Sequence, residues 1–286
     1  MAEHAGPWES KSVVPRLTRL RAAMSRPTGQ IGATLLLVTV LLTTGAPLLT
    51  SFDPFAFAAA PLLAPSLVHP MGTDAVGRDL FSEIMSGARA SVFMAIGAAL
   101  LACAIGGVIG LLSGYLGGMI DDVFMRITEL FQTLPRFFLV VVTLALFGAG
   151  FARIVLVLGL TSWTTMARVM RGEVLLIREL EFVVAARASG APLFRVLWRH
   201  MLPNILPSAL VLVGLLFGQA LLLEASIGFL GLADPNTLSW GTLAGQAQGY
   251  VRVAWWLALF PGLAIAAAAV GVNLLADAFS DAPVGR

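Results

Sequence analysis

Long apolar runs, broken by short charged or Gly/Pro-rich stretches, make up most of the chain. A bilayer core of roughly 30 Å takes about 20 apolar residues to cross as a helix. Six runs fit, at about 30–50, 91–115, 134–149, 152–169, 205–229 and 254–278. The third and fourth are separated only by Gly148, Ala149, Gly150 and Phe151. The fifth starts after Pro203 and Pro207, and the sixth holds Pro261, where a kink is expected. The pattern predicts an all-α polytopic membrane protein with six transmembrane helices. It divides the chain into a tail at 1–29, a first span at 30–50, a loop at 51–90, a five-helix core at 91–280 and a tail at 281–286. The core carries two long connections, 180–203 and 230–253. Small residues in the spans permit close helix packing, with Gly106, Gly107 and Gly110 as a candidate contact surface.

Composition supports the membrane reading: 58% of residues are hydrophobic, 12% are charged and mean hydropathy is +0.89, against about 25% charged in soluble domains. Charge then orients the stack. With the N-terminus in the cytoplasm, Lys11, Arg16, Arg19, Arg21, Arg26, Arg126, Arg136, Arg286 and the six arginines from Arg168 to Arg199 all lie inside. Only Arg78, Arg89, Arg153 and Arg252 lie outside. The positive-inside rule therefore places both termini in the cytoplasm and makes 51–90 and 230–253 external. The polar, basic first 27 residues read as a cytoplasmic tail, since no small-residue cleavage motif follows the apolar run. Cys103 is the only cysteine and His4, His69 and His200 are scattered, so neither an intrachain disulfide nor a metal site is expected.

Residues 180–202 read as two short helices with a break. The first runs from about Leu180 to Ser189 and ends at Gly190, which suits a left-handed C-terminal cap. Pro192 suits the first turn of the second, in which Leu193, Val196 and Leu197 share a face. Small residues at Ala185, Ala186, Ala188 and Ser189 allow another backbone to come close. Charge alone equally suits a loop whose arginines fix topology and bind lipid headgroups; the helix–Gly–Pro–helix layout favours docking a cytoplasmic partner.

Ala185-Ala186, Gly190 and Leu202-Pro203 resemble the EAA signature of ATP-binding-cassette importer permeases, although Val184 stands where that motif begins with Glu. Two further stretches are similar to the dipeptide/oligopeptide/nickel permease family: His69-Pro70-x-Gly72-Thr73-Asp74 with Gly77-Arg78-Asp79, and 224–241 with its Phe-Leu-Gly and Ser-Trp-Gly. The resemblance covers about 65–285, and His69 to Arg89 points to the C-type subunit. It implies a type I importer permease fold and an ATPase-coupling element made of Glu181, Ala185, Ala186, Arg187, Gly190, Ala191 and Pro192. It also implies a bacterial plasma-membrane location, a heterodimer with a homologous permease, two cytoplasmic ATPase subunits and an extracytoplasmic solute-binding protein. The substrate it implies is a short peptide, with nickel or another small solute as alternatives.

Without a Gly-x-x-x-x-Gly-Lys-Ser/Thr loop, this chain is expected to bind no cofactor and to be no enzyme, ATP and Mg being held by the partner ATPases. The absence of His-Glu-x-x-His and Gly-x-Ser-x-Gly gives an intramembrane protease no support. No nucleic-acid partner is expected.

The remaining candidates are single residues. Glu224, the acid nearest a span interior, is either a gate or pathway group or a headgroup-level carboxylate. Asp74, Arg78 and Asp79 form either a charge-paired turn or an external contact with a partner. Asp122 and Arg126 are one turn apart and able to pair, His69 reads as a loop residue, and Trp255-Trp256 as an interfacial anchor. Two other classes compete with the importer. A six-span channel or ion-coupled carrier asks for paired ionisable residues deep in the bundle, and a scaffold asks for a docking segment that binds nothing.

Overall fold

The computed structural model of the chain describes residues 23–50, 52–234 and 236–280, which leaves the C-terminal tail and most of the N-terminal one outside the described residues. Helices run α1 (Pro27–Leu49), α2 (Leu80–Leu116), α3 (Gly118–Thr133), α4 (Arg136–Phe147), α5 (Phe151–Ile177) and α6 (Glu181–Ala188). They continue as α7 (Leu193–Phe229), α8 (Trp240–Gln246) and α9 (Trp256–Ser280). Among the described residues the only β pairing is an isolated bridge between Thr73 and Asp79.

Helix α2 begins eleven residues before the expected boundary at 91. Asp79 is its N-cap and accepts from the backbone N–H of Ser82 at 2.9 Å, so the helix can start in the polar stretch ahead of the apolar run. At about 1.5 Å per residue its 37 residues make a rod of roughly 55 Å, longer than the bilayer core is thick. The fifth run is extended in the same way. Instead of starting after Pro203 and Pro207, α7 begins at Leu193 and takes in both prolines. The reason lies at Leu197–Met201, a π turn in which the N–H of Leu202 bonds the carbonyl of Leu197. Its wider pitch makes room for the Pro203 ring, which in a regular α-helix presses on the carbonyl four residues back.

The third and fourth expected spans differ more. Among the described residues four helices are long and apolar enough to cross alone: α1, α2, α7 and α9. Helices α3 and α4 together make a fifth candidate, bent by 78° at their junction, where Pro135 disfavours helix in Leu134. Helix α5 is long enough at 27 residues but has a polar middle from Thr161 to Thr165. Pro261 lies within α9, which continues through it.

Helix α2 is the central rod and α5 its closest neighbour. A Cβ added at Gly106 would lie 2.3 Å from the carbonyl oxygen of Trp163, one at Gly110 2.5 Å from that of Ala167, and one at Gly114 2.9 Å from that of Arg171. The expected glycine surface is therefore real, with Gly114 extending it by a turn. Gly107 has no atom within 4 Å of its Cβ position and takes no part. Helix α9 meets α1 in the same manner: a Cβ at Gly32 would stand 2.7 Å from the backbone nitrogen of Leu275, and one at Gly271 2.8 Å from the Cβ of Leu35. Helix α7 closes the bundle between α2 and α9, burying Leu212, Leu216 and Ala220.

Gly106→Ala is expected to destabilise the solubilised protein by about 1–3 kcal/mol, because backbone rather than a side chain must move. Gly107→Ala is expected to be neutral or stabilising by up to about 1 kcal/mol, through helix propensity. Thermal unfolding in one detergent compares the pair.

Candidate functional site

The segment between α5 and α7 forms one surface at the end of the bundle where α2 and α5 terminate. Leu180 is extended and opens α6, and Glu181, an acid in the first turn, and Arg187, a base in the last, both suit the helix dipole. The helix stops as expected. Gly190 has φ +77° and its N–H bonds the carbonyl of Arg187 at 3.0 Å, while the Ala191 N–H reaches back to Ala186 at 3.1 Å. No atom lies within 4 Å of a Cβ at Gly190, so the left-handed backbone alone calls for glycine there. Pro192 sits one position earlier than expected, as the N-cap of α7 with Leu193 as the first helical residue.

The unit hangs on a few buried side chains. Val183, Val196 and Met201 are fully buried. Arg178 donates to the carbonyl of Gly114 at 2.8 Å, tying the end of α5 to the end of α2. Arg187 lies 5.9 Å from the centroid of the Tyr115 ring. Everything else points outward. Glu181, Ala185, Arg187, Gly190 and Pro192 are exposed, Ala186 and Ala191 half-buried. With them stand large apolar side chains that sequence reasoning passed over: Phe182, Val184, Phe194 and Trp198, the last two 73% and 64% exposed. The Phe194 and Trp198 rings stack, 5.9 Å apart and 10° from parallel. Their four-residue spacing on α7 was the available signal. Of the face expected to be shared, Val196 is buried and Leu197 half-buried, while Leu193 is exposed.

Beside this surface the acidic pairing differs from expectation. Asp122 does not pair with Arg126; Arg126 meets Glu129 at 3.5 Å, both well exposed. The neighbouring Asp121 binds Arg171 through both carboxylate oxygens, at 2.6 Å each, and so fastens α3 to α5. Helical spacing finds pairs within a helix, whereas this one joins residues fifty positions apart. Asp122, Arg126, Glu129, Arg168 and Arg171 line a cavity of about 730 Å³ here.

The opposite end holds the other candidates. Glu224 is buried within the protein. It accepts from Ser91 Oγ at 3.0 Å, and Ser91 Oγ accepts from the backbone N–H of Trp240 at 3.0 Å. The Trp240 indole in turn donates to the carbonyl of Ile84 at 3.0 Å. Helices α2, α7 and α8 thus meet in one buried cluster. Glycines tighten it: a Cβ at Gly228 would lie 2.3 Å from the Gly241 backbone.

Asp74 and Asp79 face inward. One Asp74 oxygen accepts from the N–H groups of Val76 and Arg78, at 2.9 and 2.7 Å, and Asp79 pairs with His69 Nδ1 at 2.8 Å. His69 is accordingly a buried partner rather than a free loop residue. The two acids thus serve the turn through backbone N–H groups and a histidine, while Arg78, the one of the three that is partly exposed, lies nearest Glu83 at 3.8 Å. The tryptophan pair divides: Trp255 is exposed, whereas Trp256 is buried and donates to the carbonyl of Thr73 at 3.2 Å.

Residues 106–283 match the family model for the binding-protein-dependent transport system inner membrane component. A putative peptide transport system permease protein of Brucella suis is 34% identical over 93% of this chain and 90% of its own length. A probable D,D-dipeptide transport system permease protein of Escherichia coli is 35% identical over 87% of this chain and 84% of its own. A dipeptide transport system permease protein of Bacillus subtilis is 37% identical over 77% and 69%.

Gly190→Ala is expected to loosen the cap by about 1–2 kcal/mol, the cost of a left-handed non-glycine residue, and Gly190→Asn by less. Amide exchange over Glu181–Pro192 in the solubilised protein checks the order.

Proposed function

The chain belongs to the family of binding-protein-dependent transport system inner membrane components, and from that premise we propose that it is a permease subunit of an ATP-binding-cassette importer for short peptides. One observation carries the coupling assignment: α6, Gly190 and the first turn of α7 form a capped surface anchored from behind and exposed in front. Glu181, Ala185, Ala186, Arg187, Gly190, Ala191 and Pro192 then meet the groove of a cytoplasmic ATPase. Phe182, Val184 and Phe194 add apolar area, which suits an interface core better than solvent. With Val184 in place of an acid, the central contact is apolar rather than ionic.

A homologous permease subunit completes the pathway, two ATPases hold ATP and Mg, and an extracytoplasmic binding protein delivers the peptide. Both termini then lie in the cytoplasm. Nucleotide-driven closure of the ATPases moves α6, and α7 carries the movement through the membrane as one helix to Glu224 and α8 at the far end. Each ligand acts by binding one arrangement of the bundle better than the other. An ion-coupled carrier calls for paired charges in the bundle; the ionisable Glu224 and Arg136 bond instead to Ser91 and to Gln219 and Ser162.

The test uses membranes carrying this chain with its permease partner and ATPases. Ala185→Arg, at an exposed position, is expected to lower ATPase co-purification at least about tenfold, equivalent to about 1.4 kcal/mol of contact, and to abolish peptide-stimulated ATP hydrolysis while the permease pair stays assembled. Undiminished ATPase binding and hydrolysis would remove 181–192 from the motor contact.

A further inference from the structure

Glu83 lies in the first turn of α2, fully buried, and neither carboxylate oxygen has a hydrogen-bond partner. A buried carboxylate without hydrogen bonds is costly unless a counter-charge reaches it. The nearest cation, Arg78, stops with Nη1 3.8 Å from Oε1, beyond hydrogen-bonding length, and its own Nε is buried and unpartnered. Both residues line a cavity of about 300 Å³, at the small end of the range for ligand sites.

The cavity's lining is specific in its chemistry. Two carboxyl groups, Asp74 and Glu83, stand against the single positive charge of Arg78, so with Glu83 ionised the lining is one positive charge short. Asp79 and His69, next to this lining, already bond each other. Leu80, Leu243 and Leu257 make apolar walls. Tyr250, 37% exposed, lines the cavity and offers an aromatic face to a passing cation. A divalent metal is a poor match: Ca²⁺ and Mg²⁺ take six or more oxygen ligands, Zn²⁺ takes three or four side chains, and no group of three His, Cys, Asp or Glu able to hold an ion occurs among the described residues. A single positive head on an apolar stem matches every wall.

We propose that this cavity is a binding site for an alkylammonium group, which seats its charge on Glu83 and its stem against Leu80, Leu243 and Leu257. Two sources supply that chemistry: a small free amine, or the lysine side chain of a protein docked over Tyr250.

The probe is n-butylammonium chloride, added to the purified complex of this chain with its permease partner, with n-butanol as the uncharged isostere. Butylammonium is expected to raise the unfolding midpoint saturably, by roughly 2–4 °C, and butanol to leave it unchanged. Glu83→Gln should abolish the shift. Ala247→Leu, which grows into the cavity from its wall, should abolish it with Glu83 intact and covers the case in which Glu83→Gln fails to assemble. An equal response to amine and alcohol, or a full amine shift in either variant, overturns the proposal. Given binding, butylammonium that displaces the docked solute-binding protein assigns the site to a lysine side chain; butylammonium that leaves docking untouched assigns it to a free amine. The first readout is stability rather than transport, so the site stands or falls separately from the importer reading.

Discussion

The approach of α2 to α5, backbone against backbone, is the contact on which the rest of the bundle depends. In lipid the hydrophobic effect gives helices no reason to associate, and close packing has to do so. Gly106, Gly110 and Gly114 lie four apart, so they form a single row along α2 into which α5 settles. At that separation Asp121 can hold Arg171 with both oxygens, and Arg178 can reach the carbonyl of Gly114. Those two bonds set the ends of α3 and α5, and α6 is suspended from the latter. The exposed surface of α6 therefore inherits its position from three glycines that lie outside it.

At the opposite end polar groups join glycine contacts in holding the helices together. Ser91 stands between Glu224 and the Trp240 backbone, accepting one hydrogen bond and donating the other. The indoles of Trp240 and Trp256 each donate to a backbone carbonyl, of Ile84 and Thr73. These bonds satisfy polar groups of the buried segments internally, as non-helical chain at a membrane must. Helices α2, α8 and α9 also supply Leu80, Leu243 and Leu257 to the walls of the Glu83 cavity.

Much of this was readable in the chain because it depended on local chemistry. Gly190 and Pro192 mark the break between α6 and α7, a cap being decided by a few adjacent residues. The glycine row and the apolar runs of α1 and α9 are likewise periodic. What escaped was decided at a distance. Asp122 and Arg126 suggested an intrahelical pair, yet the acid that pairs is the neighbouring Asp121, with a partner on α5. Glu224 showed as an acid near a span's end, but its burial depends on Ser91 and α8. The early start of α2 was signalled by Asp79 and Ser82, a capping pattern overshadowed by the search for apolar runs. Pro203 suggested a helix start, since proline disrupts regular α geometry and the π turn that accommodates it leaves no mark in residue type. Nothing in residue type singles out Glu83, and only the enclosing walls leave its carboxylate without a hydrogen bond.

That π turn bears on how the chain can change length over generations. A π turn is one surplus residue folded into an α-helix. Downstream of it Leu212, Leu216, Ala220 and Glu224 keep a buried four-residue row. Losing a residue within Leu197–Met201 would relax the turn to ordinary α geometry and leave that row facing α2. Losing one further along would rotate every later side chain by about 100° and carry Glu224 away from Ser91. The π turn is thus the place in α7 where the loss of one residue leaves the later side chains in register, whereas the rest of the same helix has no such slack.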